Sequence, residues 1–124
     1  MTNLIAIAVG GAFGALARYT SSQWVYSMFG RSFPFGTLIV NVAGSFVMGL
    51  LAVLLIERFV AGPELRAFLM IGFLGSFTTF STFSLETVNL ISSGEVIKAG
   101  VNMLISVFVC VTACWMGMLL GRQI

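Results

Sequence analysis

Six hydroxyl side chains and four phenylalanines lie within residues 72–86, in a stretch otherwise apolar enough to cross a membrane. Lipid does not favour Ser and Thr, and Gly mixed with Ser and Thr forms helix poorly. Polar or non-helical backbone at membrane depth is tolerated only where it is buried in protein or lines a cavity. The segment is therefore predicted to face a pathway. The groups expected to line it are Phe80 and Phe83 with Thr79, Ser81 and Thr82.

Further polar residues follow helical spacing on other apolar segments, and their chemistry suits a small anion. The interior groups are hydroxyls, an amide and the positive edges of phenyl rings, and no Asp or Glu lies in the core of a segment. Cation pores and proton-coupled exporters usually carry such a carboxylate. Structural roles stay open for the hydroxyls, which can bond back to their own helix. The spaced positions are Thr37, Asn41 and Gly44 or Ser45, then Asn102, Ser106 and Cys110.

Four charged or thiol-bearing positions need separate interpretations. Arg18 falls inside the first apolar segment, and Glu86 is expected near an aqueous mouth; both are taken as vestibule or structural residues, as is Thr37. Cys110 and Cys114 share a helical face and could bind a soft metal, although buried packing is the more ordinary role for such residues.

Composition excludes most enzymes and most soluble folds. The chain has 124 residues, of which 59% are hydrophobic and 8% charged, too few charges to give a globular domain a polar exterior. It contains no histidine, so neither a Ser-His nor a Cys-His pair can form. The scattered basic residues do not favour nucleic acid as a partner. We expect an integral membrane protein, surrounded by lipid, that is not an enzyme.

Four apolar segments are long enough to cross the bilayer as helices. They cover about residues 4–28, 35–56, 65–90 and 97–120, and short links with Gly, Pro and charged residues separate them. The first could instead be a signal peptide cleaved after residues 15–17, but it lacks a basic leader. The prediction is an all-α membrane protein, residues 1–124 forming a single four-helix transmembrane domain.

The charges of the loops indicate little preference for one orientation. Four spans place Arg58, Arg66 and Arg122 on one side, with Arg31 and Lys98 on the other. Because Lys and Arg in short loops set orientation, this balance predicts dual topology and an antiparallel homodimer. A weak bias that fixes one orientation is the alternative. Pairs of small residues indicate close helix packing, within or between subunits: Gly10 with Gly14, Ser45 with Gly49, and Gly117 with Gly121.

The middle of the third span is predicted to be broken near Gly75. In an antiparallel pair, two such breaks would meet on the axis at the bilayer midplane. Unwound segments release backbone carbonyls that need a partner. Carbonyls from two chains could hold a monovalent cation such as Na⁺, as discontinuous helices do in transporters.

Three segments together resemble the Fluc, or CrcB-like, fluoride channels. They are residues 11–19 (Gly-Ala-Phe-Gly-Ala-Leu-Ala-Arg-Tyr), residues 36–46 (Gly-Thr-Leu-Ile-Val-Asn-Val-Ala-Gly-Ser-Phe) and residues 72–86. The resemblance implies a dual-topology homodimer with two pores and a structural Na⁺ held by the carbonyls of Gly75 and Thr78. It assigns Phe80, Phe83 and Asn41 to the fluoride path. On the fourth span Ser106 matches a hydroxyl, whereas Asn102 and Cys110 stand where an aromatic hydroxyl and a Ser are expected.

The function that the resemblance implies is passive, fluoride-selective conduction out of the cytoplasm across the bacterial inner membrane, protecting the cell from fluoride. Donors along the path would replace the water of a strongly hydrated anion. No nucleotide motif or coupling carboxylate suggests an energy source. A proton-coupled exporter of organic cations and a non-transporting helical scaffold are the rival classes.

Overall fold

The computed structural model describes residues 1–124, and every regular element in it is helical. Helix α1 is Thr2–Phe29, α2 is Phe35–Arg58, α3 covers residues 63–77, α4 is Phe80–Ser92 and α5 is Val96–Gln123. Wider π-helical turns form Ala52–Arg58 in α2 and Ala67–Leu74 in α3. With α3 and α4 counted as one span, four helical segments are long and apolar enough to cross a membrane. The predicted all-α class and the four spans are confirmed.

The third span leaves the helical conformation at two residues. Thr78 has φ −86° and ψ 155°, and Thr79 has φ −151° and ψ 119°, so both are extended. Gly75 itself is helical, with φ −61° and ψ −33°. The non-helical residues therefore follow Gly75 by three and four positions, and they separate α3 from α4.

The helices run up and down, so the loops and termini gather at two ends. At one end Arg58 donates to the Arg122 carbonyl at 2.6 Å, and Arg122 pairs with Glu57 at 3.6 Å. At the other end Lys98 donates to the Ser32 carbonyl at 3.3 Å. The loop charges thus divide between the ends as the four predicted spans require. The opposite insertion of two copies stays a prediction.

Small residues bring the helices together within one chain. A Cβ at Gly10 or Gly14 of α1 would collide with the main chain of α3 at Phe68 or Phe73. A Cβ at Gly49 of α2 would collide with the Cys114 carbonyl of α5. Gly117 of α5 meets the Phe46 carbonyl of α2 in the same way. These glycines pack α1 on α3 and α2 on α5, so the small-residue pairs act inside the subunit.

Candidate functional site

The Asn41 side chain of α2 holds the extended backbone at Thr79. The Thr79 N–H donates to Asn41 Oδ1 at 2.8 Å, and Asn41 Nδ2 donates to the Thr79 carbonyl at 2.9 Å. Because the Thr79 N–H can only donate, it fixes which end of the amide is the oxygen. Asn41 therefore satisfies both main-chain groups of one non-helical residue, and one Nδ2 hydrogen remains for another acceptor.

Two further side chains stabilise the helix ends beside the interruption. Thr79 is the N-cap of α4, and its Oγ1 accepts from the Thr82 N–H at 3.2 Å. Arg18 of α1 donates through Nε to the Ser76 carbonyl at 3.0 Å. The carbonyls in the last turn of a helix have no N–H donor within that helix, and Arg18 supplies one to a carbonyl in the last turn of α3.

These contacts leave two carbonyls without their ordinary helical donors. In a continuous helix the Thr79 N–H would donate to the Gly75 carbonyl, but it donates to Asn41 instead. The Thr82 N–H would donate to the Thr78 carbonyl, but it donates to the Thr79 hydroxyl. The carbonyls of Gly75 and Thr78 are consequently available to a ligand.

An open, mostly apolar groove of about 420 Å³, here called the inner cavity, lies beside the interruption, between α2, α4 and α5. Its walls combine an amide, hydroxyls, thiols and phenyl rings, and no charged side chain lines it. The Phe80 and Phe83 rings have centroids 5.2 Å apart and planes tilted by 48°. Phe80 is 76% exposed in the single chain, whereas Phe83 is 8% exposed. The lining residues are Asn41, Gly44, Ser45, Met48, Thr78, Thr79, Phe80, Phe83, Ser106, Val107, Cys110, Val111 and Cys114.

A polar vestibule opens at the end of the bundle that holds Lys98. It consists of two adjoining cavities of about 550 and 220 Å³ that share Tyr26, Arg31 and Glu86. Glu86 accepts from Thr37 Oγ1 at 2.6 Å and from the Tyr26 hydroxyl at 3.2 Å. The Arg31 guanidinium lies 4.5 Å from the centre of the Tyr26 ring. Arg18, Arg31 and Lys98 outnumber the two carboxylates, Glu86 and Glu95, so the lining is net positive.

Thr79 connects the two spaces, because it lines both the smaller vestibule cavity and the inner cavity. The backbone that Asn41 holds is thus the partition between a positively charged, water-accessible vestibule and a phenyl-lined interior. An anion moving from one to the other would pass the hydroxyl of Thr79.

A buried chain of hydrogen bonds ties α5 to α4 behind the inner cavity. Ser106 Oγ donates to Asn102 Oδ1 at 3.3 Å, and Asn102 Nδ2 donates to Thr87 Oγ1 at 2.9 Å. Thr87 Oγ1 donates in turn to the Phe83 carbonyl at 2.7 Å. Asn102 and Thr87 are 1% and 5% exposed, so no water competes with these bonds.

The residues predicted from the sequence divide between the two spaces. Asn41, Thr78, Phe80, Phe83 and Ser106 line the inner cavity, and Thr79 lines both spaces. The vestibule takes Arg18, Thr37, Thr82 and Glu86. Gly75 and Ser81 line neither, although Ser81 Oγ lies 3.4 Å from Thr79 Oγ1.

Sequence reasoning missed Tyr26, which lines both vestibule cavities and contacts Thr37 and Glu86. A signal was present, since Arg18, Ser22 and Tyr26 follow one another at four-residue spacing on α1. Thr87 was missed as well. Its partner Asn102 lies in another span, so no local spacing indicates the contact.

Comparison with known proteins matches residues 5–118 to the family described as CrcB-like protein, Camphor Resistance (CrcB). The chain belongs to the CrcB-like family. A relative from Geobacter metallireducens, named a fluoride-specific ion channel FluC, is 49% identical over 124 residues, all of both chains. One of the same name from Hydrogenovibrio crunogenus is 50% identical over 97% of this chain and 91% of its own.

A third relative with that name, from Methylococcus capsulatus, is 52% identical over 98% of this chain, which spans 54% of the relative's length. Membership of the CrcB-like family and four apolar helices identify the chain as a multi-pass membrane protein. The resemblance to this family, predicted from residues 11–19, 36–46 and 72–86, is confirmed. The match extends over residues 5–118, nearly the whole chain.

Proposed function

We propose that the protein is a passive fluoride-selective anion channel. The observation that carries this proposal is the inner cavity, whose lining includes hydroxyl, amide and phenyl groups and no charged side chain. Relatives about half identical over 91% or more of their length are named fluoride-specific ion channels, which supports the same assignment.

Selectivity for fluoride follows from the chemistry of the lining. Fluoride is small and strongly hydrated, so a path that strips its water must replace each lost hydrogen bond. The free Nδ2 hydrogen of Asn41 is a suitable donor, and the Thr79 and Ser106 hydroxyls can donate once they turn away from their present acceptors, Thr82 Oγ1 and Asn102 Oδ1. Phe80 and Phe83 line the same space, and the edges of phenyl rings carry partial positive charge. Chloride accepts weaker hydrogen bonds and is larger, so the same walls would compensate its desolvation less well.

Entry would begin in the vestibule. Lys98 is paired with Glu95 at 3.0 Å, so Arg18 and Arg31 are the cations that attract an anion there. Tyr26 and Thr37 hold the Glu86 carboxylate through its two oxygens. An anion would then pass Thr79 into the inner cavity. A membrane potential that is negative inside contributes about 2.3 kcal/mol per charge per 100 mV towards anion exit. Flow down this gradient needs no coupled proton or nucleotide, and it would protect a bacterium from fluoride.

We also propose a structural Na⁺ at the interruption. The Gly75 and Thr78 carbonyls have lost their ordinary helical donors to Asn41 and Thr79, and carbonyl oxygens are suitable ligands for a hard cation. When bound, the ion would supply positive charge and crosslink backbone, and it would not move with the anion. One chain offers only this pair of oxygens, so a full ligand set requires a second copy.

The assembly that we propose is an antiparallel homodimer with two pores in the bacterial inner membrane. Loop charges at the two ends of the bundle are nearly balanced, which supports insertion in both orientations. Phe80 is largely exposed in the single chain, and a pore wall needs cover on that side. A partner copy related by an axis in the membrane plane would supply it, with lipid around the pair.

Purified protein reconstituted in liposomes provides the test. Vesicles loaded with potassium fluoride or potassium chloride are diluted into salt-free buffer with valinomycin, and efflux is read with ion-selective electrodes. The proposal requires rapid fluoride efflux and little chloride efflux. Equal efflux of both ions, or none above empty vesicles, would contradict it. Exchange of protons for an organic cation would instead indicate the exporter class.

A further inference from the structure

The donors and acceptors in the series of hydrogen bonds from Ser106 to Phe83 can be assigned in only one way. The Phe83 carbonyl can only accept, so the Thr87 hydroxyl uses its single hydrogen there, at 2.7 Å. Thr87 Oγ1 must therefore accept from Asn102, which places Nδ2 of the amide towards Thr87. The opposite end of the amide, Oδ1, then faces Ser106 and can only accept. The hydroxyl hydrogen of Ser106 consequently points at Asn102.

This direction has a consequence for the inner cavity, which Ser106 lines and Asn102 and Thr87 do not. With its hydrogen turned towards Asn102, the Ser106 oxygen presents lone pairs to the cavity. An anion repels lone pairs, and it binds this hydroxyl only by drawing the hydrogen away from Asn102. The bond to be broken is long, at 3.3 Å, so the hydroxyl can be recruited, but at a free-energy cost.

We propose that Asn102 is a positioning residue that lowers the affinity of the inner cavity for its anion by competing for the hydroxyl hydrogen of Ser106. This inference rests on the proposed function, since the anion is fluoride. Asn102 cannot relax to avoid the competition. It is 1% exposed, and Thr87 fixes the orientation of its amide. A channel benefits from such competition, because an anion that binds too tightly leaves slowly.

Residue 102 is also a position where this chain departs from the pattern of the family. The resemblance implies an aromatic hydroxyl there, and this chain has Asn102. A phenol could donate to an anion itself. The amide of Asn102 is instead buried behind Ser106 with both ends engaged. The control of affinity that we infer is therefore a property of this chain's pairing of Asn102 with Thr87.

The test measures fluoride efflux from liposomes as a function of fluoride concentration. Asn102→Leu keeps the approximate size of the side chain and removes the acceptor. The half-saturating fluoride concentration should fall about fivefold, the ratio that one neutral hydrogen bond provides. Thr87→Val should shift it in the same direction, because the released amide can turn and donate to Ser106. Thr87→Ser keeps the hydroxyl and should restore the wild-type value.

Two controls separate this mechanism from a general loss of packing. Thr112→Val removes the same hydroxyl from an exposed position on α5, and it should leave the half-saturating concentration unchanged. In a Ser106→Ala background, Asn102→Leu and Thr87→Val should have no further effect, because the contested hydrogen is gone. If Asn102→Leu does not fold, as judged by gel filtration, Thr87→Val carries the same test.

An unchanged half-saturating concentration in both variants would overturn the inference, as would the same shift with and without Ser106. Wild-type liposomes tell this failure from that of the proposed function. If they release no fluoride, the channel assignment is wrong. If they release it normally and the variants match them, only the role of Asn102 is wrong.

Discussion

The contact between Asn41 and Thr79 leads to a quantitative prediction. Asn41→Ala removes both hydrogen bonds and leaves the Thr79 N–H and carbonyl without partners. An unpaired buried polar group costs about 1–3 kcal/mol. Both residues are half-buried beside a cavity, so water can compensate part of the loss. We therefore expect a total near the lower limit for two groups, about 2 kcal/mol.

That free energy predicts a measurable local effect. A loss of about 2 kcal/mol raises the population of locally open states about 30-fold, and the Thr79 amide should exchange with deuterium faster by the same factor. Hydrogen exchange of peptides covering residues 78–82, in detergent micelles, provides the measurement. Asn89→Ala, at an exposed asparagine of α4, is the matched control and should not change this rate.

Asn41→Asp separates the structural role of the residue from its role towards the anion. An aspartate oxygen can still accept from the Thr79 N–H, so exchange at Thr79 should remain slower than in Asn41→Ala. Fluoride efflux should be abolished, because the variant places a carboxylate in the inner cavity. Unchanged exchange in Asn41→Ala would refute the role of Asn41 in holding the backbone. Normal efflux from folded Asn41→Asp would refute its place in the anion path.

Three further predictions concern the phenyl rings, the orientation and the cation. Phe80→Ile or Phe83→Ile keeps apolar bulk but removes a positive ring edge, so fluoride efflux should fall about tenfold, corresponding to about 1.4 kcal/mol; normal efflux from both would exclude the rings from the path. Two lysines added to the loop at residues 30–33 should force one orientation, and activity should then require co-expression of an oppositely biased copy. Full activity of the forced variant alone would mean that the subunits need not be inverted. Replacing all Na⁺ by a bulky organic cation should reduce efflux and weaken the dimer in gel filtration, whereas unchanged behaviour after complete exchange would mean that the Gly75 and Thr78 carbonyls have other partners.

Helix number and class were predictable because hydropathy over about 20 residues determines a span. The third span was predicted for residues 65–90 and occupies Pro63–Ser92, since proline is well suited to the first turn of a helix. The position of the non-helical residues was predicted less well. Glycine propensity suggested Gly75, but the extended residues are Thr78 and Thr79. A side chain 38 positions earlier in the chain binds the backbone there.

In the candidate site too, features that depend on local composition were predictable, and contacts between residues far apart in the chain were not. The phenyl and hydroxyl run was recognisable because its composition is unusual for lipid. Asn41 was predicted to donate to the anion, which stays a prediction; its pairing with the main chain of Thr79, which leaves one Nδ2 hydrogen free, was not foreseen. The hydrogen bond between Asn102 and Thr87 joins two helices, so the periodicity of residues within either helix does not predict it.

The even number of spans has a consequence for gene fusion. Both termini lie at the end of the bundle that contains the Arg58–Arg122 contact. If two copies function in opposite orientations, the last residue of one and the first residue of the other lie on opposite membrane faces. A flexible linker cannot join them through hydrocarbon. A tandem single-chain version would therefore need one additional membrane-crossing helix, of about 20 apolar residues, between the two copies.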